Sequence, residues 1–285
     1  MAIYRNFNQE QLDAQYNVRA GIPNYLEIFA RWKSDGAAFR SAHVVQENLA
    51  YGEDEKQQLD FFPATDPDQP LLIFIHGGYW QSLDKSDFSS IAGPYLEKNI
   101  NVAVVNYRLA PSATMSEIVS DNQKALTWLF DNASRLNFSR DRIFVSGHSA
   151  GGHLTAVLAG TDWKALGYPA DLIKGGCAIS GLYDLEPIRL CYLNKVVGLT
   201  AHDVAVFSPL RTPRPFKVPM ILTVGGAESP EYFRLQAEYE QLLKQEGSLL
   251  RVVDLKTGHH FDAVDALGVG SGELSQTVVR MICSS

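Results

Sequence analysis

Apolar residues in this chain gather into short runs that are separated by longer stretches with a helical period. The runs lie at residues 71–76, 102–107, 142–147, 173–180, 218–225 and 249–256. Several are apolar on consecutive residues instead of alternating, which predicts strands covered on both faces. Between them, residues 115–130 place Ile118, Val119, Ala125, Leu126, Trp128 and Leu129 at helical spacing, and residues 153–158 continue directly from a Gly-rich turn. Residues 230–243 open with Ser229 as a predicted N-cap and Pro230 at the first helical position. Alternating β and α units imply an α/β fold with a mostly parallel central sheet flanked by helices. Upstream, residues 44–51 and 57–62 predict an antiparallel hairpin at one sheet edge. The first forty residues, amphipathic at 12–16 and 25–32, predict a helical segment packed over the main body. No repeat, low-complexity tract or Gly/Ser linker divides the chain, so residues 1–285 read as one domain with an N-terminal helical segment (1–40) and a small cap excursion (181–217).

Composition narrows the function classes. With 46% hydrophobic and 20% charged residues over 285 positions, the chain can bury a large core, and disorder is excluded as its dominant state. Lys and Arg number 25 against 32 Asp and Glu, a net charge of −7, and no basic run occurs, so a nucleic-acid partner is not expected. Apolar runs such as residues 71–75 fall far short of the roughly 20 residues that span a bilayer, and no membrane partner is expected either. Met1-Ala2-Ile3-Tyr4-Arg5-Asn6 lacks the basic and apolar regions of a signal peptide, which places the chain in the cytoplasm by default. Cys177, Cys191 and Cys283 are few, odd in number and far apart. They build neither a disulfide framework nor a metal knuckle, and all three are expected to be small buried apolar side chains. Gly268-Val269-Gly270-Ser271-Gly272-Glu273 lacks the spacing of a dinucleotide fingerprint; no metal and no organic cofactor is expected.

In open α/β sheets, sites form at the carboxyl ends of the strands, so the residues just after each run matter most. After residues 142–147 comes Gly147-His148-Ser149-Ala150-Gly151-Gly152, a G-x-S-x-G pattern between an apolar strand and a helix. That is the setting in which a strained turn holds a serine over the sheet edge as a nucleophile. An ordinary Gly-rich turn with a helix-capping serine is the plainer alternative and fits fewer of these facts. After residues 71–75 comes His76-Gly77-Gly78-Tyr79-Trp80, where paired glycines free backbone N–H groups for an oxyanion hole. The donors assigned are Gly78 and Tyr79, with Ala150 of the elbow opposite. His76 reads as a loop organiser, and His76, Gly77, Trp80 and His148 are candidates for the substrate pocket; core packing is the alternative for Trp80.

A serine hydroxyl needs a base, and the base needs a carboxylate to orient it. His148 and His153 sit on the elbow and its helix, and His43 and His202 have no supporting context. His259 and His260 follow the last strand in Thr257-Gly258-His259-His260-Phe261-Asp262, and either could serve. The acid is expected after the preceding strand, in Gly225-Gly226-Ala227-Glu228-Ser229-Pro230-Glu231. Glu228 precedes the helix start and is free to aim across the strand ends, whereas Glu231 reads as a complement to the helix dipole. Asp262, the competing acid, more naturally binds its own loop backbone. The order serine, acid, histidine is that of the α/β-hydrolases.

These motifs resemble the arylformamidase (kynurenine formamidase) group of α/β-hydrolases, itself similar to hormone-sensitive-lipase-type esterases. The resemblance spans residues 12–19, the loop from His76 to Trp80, Asn106-Tyr107-Arg108-Leu109-Ala110-Pro111, the elbow, Gly181-Leu182-Tyr183-Asp184-Leu185-Glu186-Pro187 and His260-Phe261-Asp262. It selects His260 as the base, because the group's catalytic histidine precedes Phe, and it carries a homodimer as an expectation. One departure is visible: the group usually has Asp before Ser-Pro-Glu, where this chain has Glu228. The activity implied is hydrolysis of a small N-acyl or N-formyl amide through Ser149, Glu228 and His260 and an acyl-enzyme. A short-acyl carboxylesterase is the alternative, and a non-catalytic binding protein is a third reading that intact Ser149 and His260 argue against. The partner is then a small-molecule substrate. Residues 181–217, with Arg189, Lys195, Arg211, Arg214 and Lys217 against Asp184, Glu186 and Asp203, are expected beside its pocket, and their charge hints at a carboxylate on it.

Overall fold

The computed structural model describes residues 1–284. Eight strands form one sheet: β1 Gln46–Ala50, β2 Gln58–Phe62, β3 Gln69–Ile75, β4 Asn101–Val105, β5 Phe138–His148, β6 Ile173–Ile179, β7 Met220–Gly225 and β8 Leu249–Leu255, in the order β1-β2-β4-β3-β5-β6-β7-β8. β2 pairs antiparallel with β1 and with β4, and every later pairing is parallel. This is the α/β-hydrolase arrangement, with the hairpin at one edge as the pattern predicts.

The consecutive apolar residues have a simple cause. Along β3, Leu71, Ile73 and Ile75 enter one core layer while Leu72 and Phe74 enter the other. Successive strand side chains point to opposite faces, so a strand with helices on both sides needs apolar residues at every position. One layer is closed by the helices Met115–Asp131, Ala150–Gly160 and Pro230–Glu246, the other by Tyr25–Ala42 and Glu273–Cys283. Thr114 caps the first of these with a reciprocal capping box to Glu117. Ser229 does stand at the N-cap of Pro230–Glu246, but its side chain makes no capping bond. The Glu231 N–H is instead accepted by Gln15 Oε1 at 3.3 Å, from the N-terminal segment.

That segment has an informative path. Helix Gln9–Tyr16 packs Leu12 and Tyr16 into one core layer, whereas Tyr25–Ala42 packs Ile28 and Trp32 into the other. Residues 17–24 therefore cross from one face of the sheet to the other, over the carboxyl ends of the strands. The excursion at 181–217 forms three short helices, Glu186–Leu190, Asn194–Val197 and Ala201–Phe207. Cys177 and Cys191 are buried as expected, but Cys283 is exposed: it ends the last helix, beyond the buried face that Val278 and Ile282 present. Among the described residues no helix is long and apolar enough to cross a membrane.

Candidate active site

Strand register sets the stage. Ile75 of β3 pairs with Gly147 of β5, Gly147 with Ala178 and His148 with Ile179 of β6, and Gly225 of β7 with Leu255 of β8. The strands thus end nearly level, and the segments after them meet along one edge. Ser149 turns sharply between β5 and its helix with φ +58° and ψ −116°, a conformation that costs a non-glycine residue about 1–3 kcal/mol. Its N–H donates to Ile179 O at 2.8 Å and its carbonyl accepts from His153 N at 2.9 Å, so the turn is pinned on both sides. A Cβ on Gly151 would lie 2.0 Å from Ile75 O, which is why the elbow requires glycine there. Ala150 opens the helix, and the first N–H of a helix has no acceptor within it.

The segment after β7 brings Glu228 to this edge, with its side chain 1% exposed. Its Oε1 accepts from Ser180 Oγ at 2.5 Å and from Gly225 N at 2.8 Å; its Oε2 lies 2.6 Å from His260 Nδ1. A carboxylate only accepts, so Nδ1 carries the proton and Nε2 of the neutral ring is left as the acceptor. Asp262 does what its position suggested: it accepts from His259 N at 2.9 Å in a local capping box. Glu231 does more than complement a helix dipole, being buried and bound by Arg234 and Tyr16.

Beneath the elbow, His148 Nε2 donates to His260 O at 2.9 Å, and the two rings lie 4.5 Å apart. Burial, reinforced by His260, holds His148 well below the usual imidazole range and keeps it neutral. A phenol chain runs along the other side. Tyr79 Oη donates to Tyr16 O at 2.8 Å, so Tyr232 Oη, 2.8 Å away, must donate to Tyr79. The Tyr232 ring also packs 4.9 Å from that of His260.

A narrow hollow opens on Ser149 and His260, lined also by Val18, Arg19, Phe29, Trp32, Gly78, Tyr79, Leu83, His148 and Phe261. Of the four pocket candidates, only His148 lines it. His76 is fully buried, with Nδ1 donating to Gly77 O at 2.8 Å and its ring stacked 4.6 Å from Tyr107. Burial pushes its imidazole down to about 4. Gly77 is pressed against the elbow, where a Cβ would sit 2.9 Å from His148 O. Trp80 is core, packed edge-on against His153 at 5.1 Å. Gly78 and Tyr79 do border the hollow, on backbone with φ +101° and +50°.

The excursion at 181–217 does not supply the lining residues. Arg189 is bound to Glu186 at 2.7 Å and Arg211 to Asp184 at 2.9 Å within the excursion, and Arg214 to Glu246 at 3.2 Å outside it, so all three arginines are paired. Sequence reasoning missed Phe29 and Trp32, Tyr232 and Ser180. The 29/32 pair at helical spacing was the available signal for the first two; nothing local marks the others. Among the described residues no group of three or more His, Cys, Asp or Glu side chains is placed to hold a metal ion.

Sheet order, strained elbow serine and the acid and histidine after β7 and β8 define an α/β-hydrolase. Within that class the chain resembles the arylformamidases, and it is a hydrolase. Over all of its length it is similar to all of the kynurenine formamidases of Salmo salar (29% identical) and Danio rerio (28% identical). Residues 59–168 match the BD-FAE family model. A crystal structure of a protein described as a thioesterase, from Silicibacter sp. TM1040, superposes with a TM-score of 0.83 at 28% identity, covering 96% of this chain and 99% of that one.

Proposed function

We propose that this hydrolase cleaves the N-formyl, or another small N-acyl, amide of an aromatic amine. Ser149 Oγ attacks the carbonyl carbon as its proton passes to His260 Nε2, and Glu228 holds the imidazolium that forms. Negative charge on the carbonyl oxygen is received by the N–H groups of Gly78, Tyr79 and Ala150. The intermediate collapses with rupture of the C–N bond, and the proton on His260 Nε2 goes to the departing amine. Water then attacks the acyl-serine by the same steps, releasing formate or the corresponding acid and restoring the Ser149 hydroxyl.

The observation that carries this reading is the full-length similarity to kynurenine formamidases, which includes the N-terminal segment that roofs the pocket. The aromatic walls of Phe29, Trp32 and Phe261 suit a planar ring, and the small hollow suits a short acyl group. A second reading, a short-acyl esterase, is favoured by the solved structure described as a thioesterase. Fold alone does not choose between them. Purified protein assayed in parallel with N-formylkynurenine and p-nitrophenyl acetate separates the two: the formamide should be turned over with the higher kcat/KM, and turnover of the ester alone would defeat the formamidase reading.

A further inference from the structure

Charge on this protein is heavily paired. Arg31, Arg108, Arg189, Arg211, Arg214, Arg234 and Arg251 each hold a carboxylate. Arg19, like Arg135, Arg140, Arg142 and Arg280, does not, but of these five only Arg19 lines the hollow at Ser149. It stands on the crossing at residues 17–24 and lines the same hollow as Ser149 and His260.

Its surroundings explain how it is held without a counter-ion. The guanidinium carbon lies 5.6 Å from the ring centre of Tyr25 and 5.5 Å from that of Phe29. Contacts of this kind engage the ring faces and leave the N–H edge of the guanidinium unspent. Nη2 approaches Ser82 Oγ only at 3.5 Å, beyond the usual range of an N–H···O bond. Of the described residues lining the hollow, Arg19 alone is permanently charged. A donor fork of fixed charge, left open at the mouth of an aromatic slot, matches a planar carboxylate in both charge and shape.

We infer that Arg19 is the specificity-determining residue of this site, receiving the carboxylate of an anionic aromatic substrate whose scissile carbonyl lies at Ser149. The inference rests on the hydrolase reading of Ser149 and His260 and deepens it. It also moves the basis for an anionic substrate from the excursion, whose arginines are paired, to the roof of the pocket. The interaction contributes to binding and not to bond breaking, so it acts mainly on KM.

The test compares formanilide with formanilides carrying a carboxylate on the ring or on a short side chain, in wild type, Arg19→Ala and Arg19→Lys. Wild type should prefer at least one carboxylate-bearing compound over formanilide by about tenfold or more in kcat/KM, and high salt should shrink that preference. Arg19→Ala should lower kcat/KM for that compound about 10- to 100-fold, mainly through KM, with a loss on formanilide at least tenfold smaller. Arg19→Lys should keep part of the preference, since charge survives and the fork does not. The formanilide measurement also reports whether each variant is folded. Turnover of formanilide with no preference for any carboxylate derivative, or a preference that Arg19→Ala leaves intact, would overturn the assignment of Arg19 while sparing the hydrolase reading. Turnover of none of these compounds, nor of p-nitrophenyl acetate, would overturn both.

Discussion

On the floor of the pocket, Ser149 and His260, with Glu228 buried behind the histidine, stand after strands held in register by their neighbours; on its roof, Arg19, Phe29 and Trp32 stand on a segment outside the sheet. The floor is polar and locked by hydrogen bonds: Glu228 is engaged by Ser180, Gly225 and His260, and the elbow by Ile179 and His153. The roof is held mainly by ring contacts, Phe29 stacked on Trp32 at 5.3 Å and edge-on to Phe261 at 5.1 Å, with one side-chain anchor where Trp32 Nε1 donates to Asp265 Oδ1 at 2.6 Å. Directional bonds fix atoms to the tolerance that proton transfer needs. Ring packing fixes a surface, and a surface is what sorts one substrate from another. On the function proposed above, the contrast separates bond breaking from selection, and each can be broken on its own.

The largest effect should come from the floor. Ser149→Ala should remove hydrolysis of amide and ester alike, a fall in kcat of about 10⁴-fold or more, with the thermal unfolding midpoint nearly unchanged. The serine buries little and carries its strain in the backbone, so stability has little to lose. Retained turnover by purified Ser149→Ala, or labelling of this variant by a fluorophosphonate probe, would contradict the assignment of the nucleophile.

Next comes the acid. Glu228→Gln keeps the shape but replaces a charge on which His260 Nδ1 depends, and should cost about 10³- to 10⁴-fold in kcat. Glu228→Asp should cost less, about 10- to 100-fold, because a shorter side chain must give up either His260 or the Ser180 and Gly225 donors. If Glu228→Gln left kcat within a few-fold of wild type, Glu228 would be a loop brace and the orienting acid would have to be sought elsewhere.

Much of the floor could be read from residues in order. Consecutive apolar runs marked buried strands, and glycine-rich punctuation marked where the backbone turns at their ends. The roof could not be read in this way. Amphipathic stretches at 12–16 and 25–32 state that two helices have buried faces, but not that those faces lie on opposite sides of one sheet. Only that arrangement carries Arg19 over Ser149. Local charge misled for a related reason: Arg189, Arg211 and Arg214 look unpaired in a count, and only folding brings Arg211 to Asp184 and Arg214 to Glu246, 27 and 32 positions away. Trp80 misled because a residue next to a functional loop can just as well point into the core.

Acid should loosen the floor before the roof. His76 and His153 are fully buried beneath the loops, and burial pushes each from 6.5 down to about 4. Their folded values lie below the unfolded one, so from pH 6.5 down towards 4 the unfolded chain binds more protons. The stability these neutral rings contribute is complete above about pH 6.5 and drains away as pH falls through that window. At pH 5 the loss amounts to about 2 kcal/mol for each. Denaturant unfolding at pH 7 and pH 5 measures it directly, and equal stabilities would show that the two imidazoles are not held below their unfolded values.

The smallest effect belongs to the roof. Phe29→Leu keeps most of the apolar volume but removes a ring that stacks on Trp32 and supports Arg19. The aromatic part of such contacts is worth about 0.5–1.5 kcal/mol, so KM for an aromatic formamide should rise about three- to tenfold. The change in kcat should be smaller, since no reacting atom is touched. Carboxylate preference should weaken in the same variant, because the guanidinium loses one of the two rings over which it is spread. If Phe29→Leu lowered kcat as strongly as it raised KM, the roof would be shaping the reacting geometry too, and the division between a floor that breaks bonds and a roof that selects would not hold.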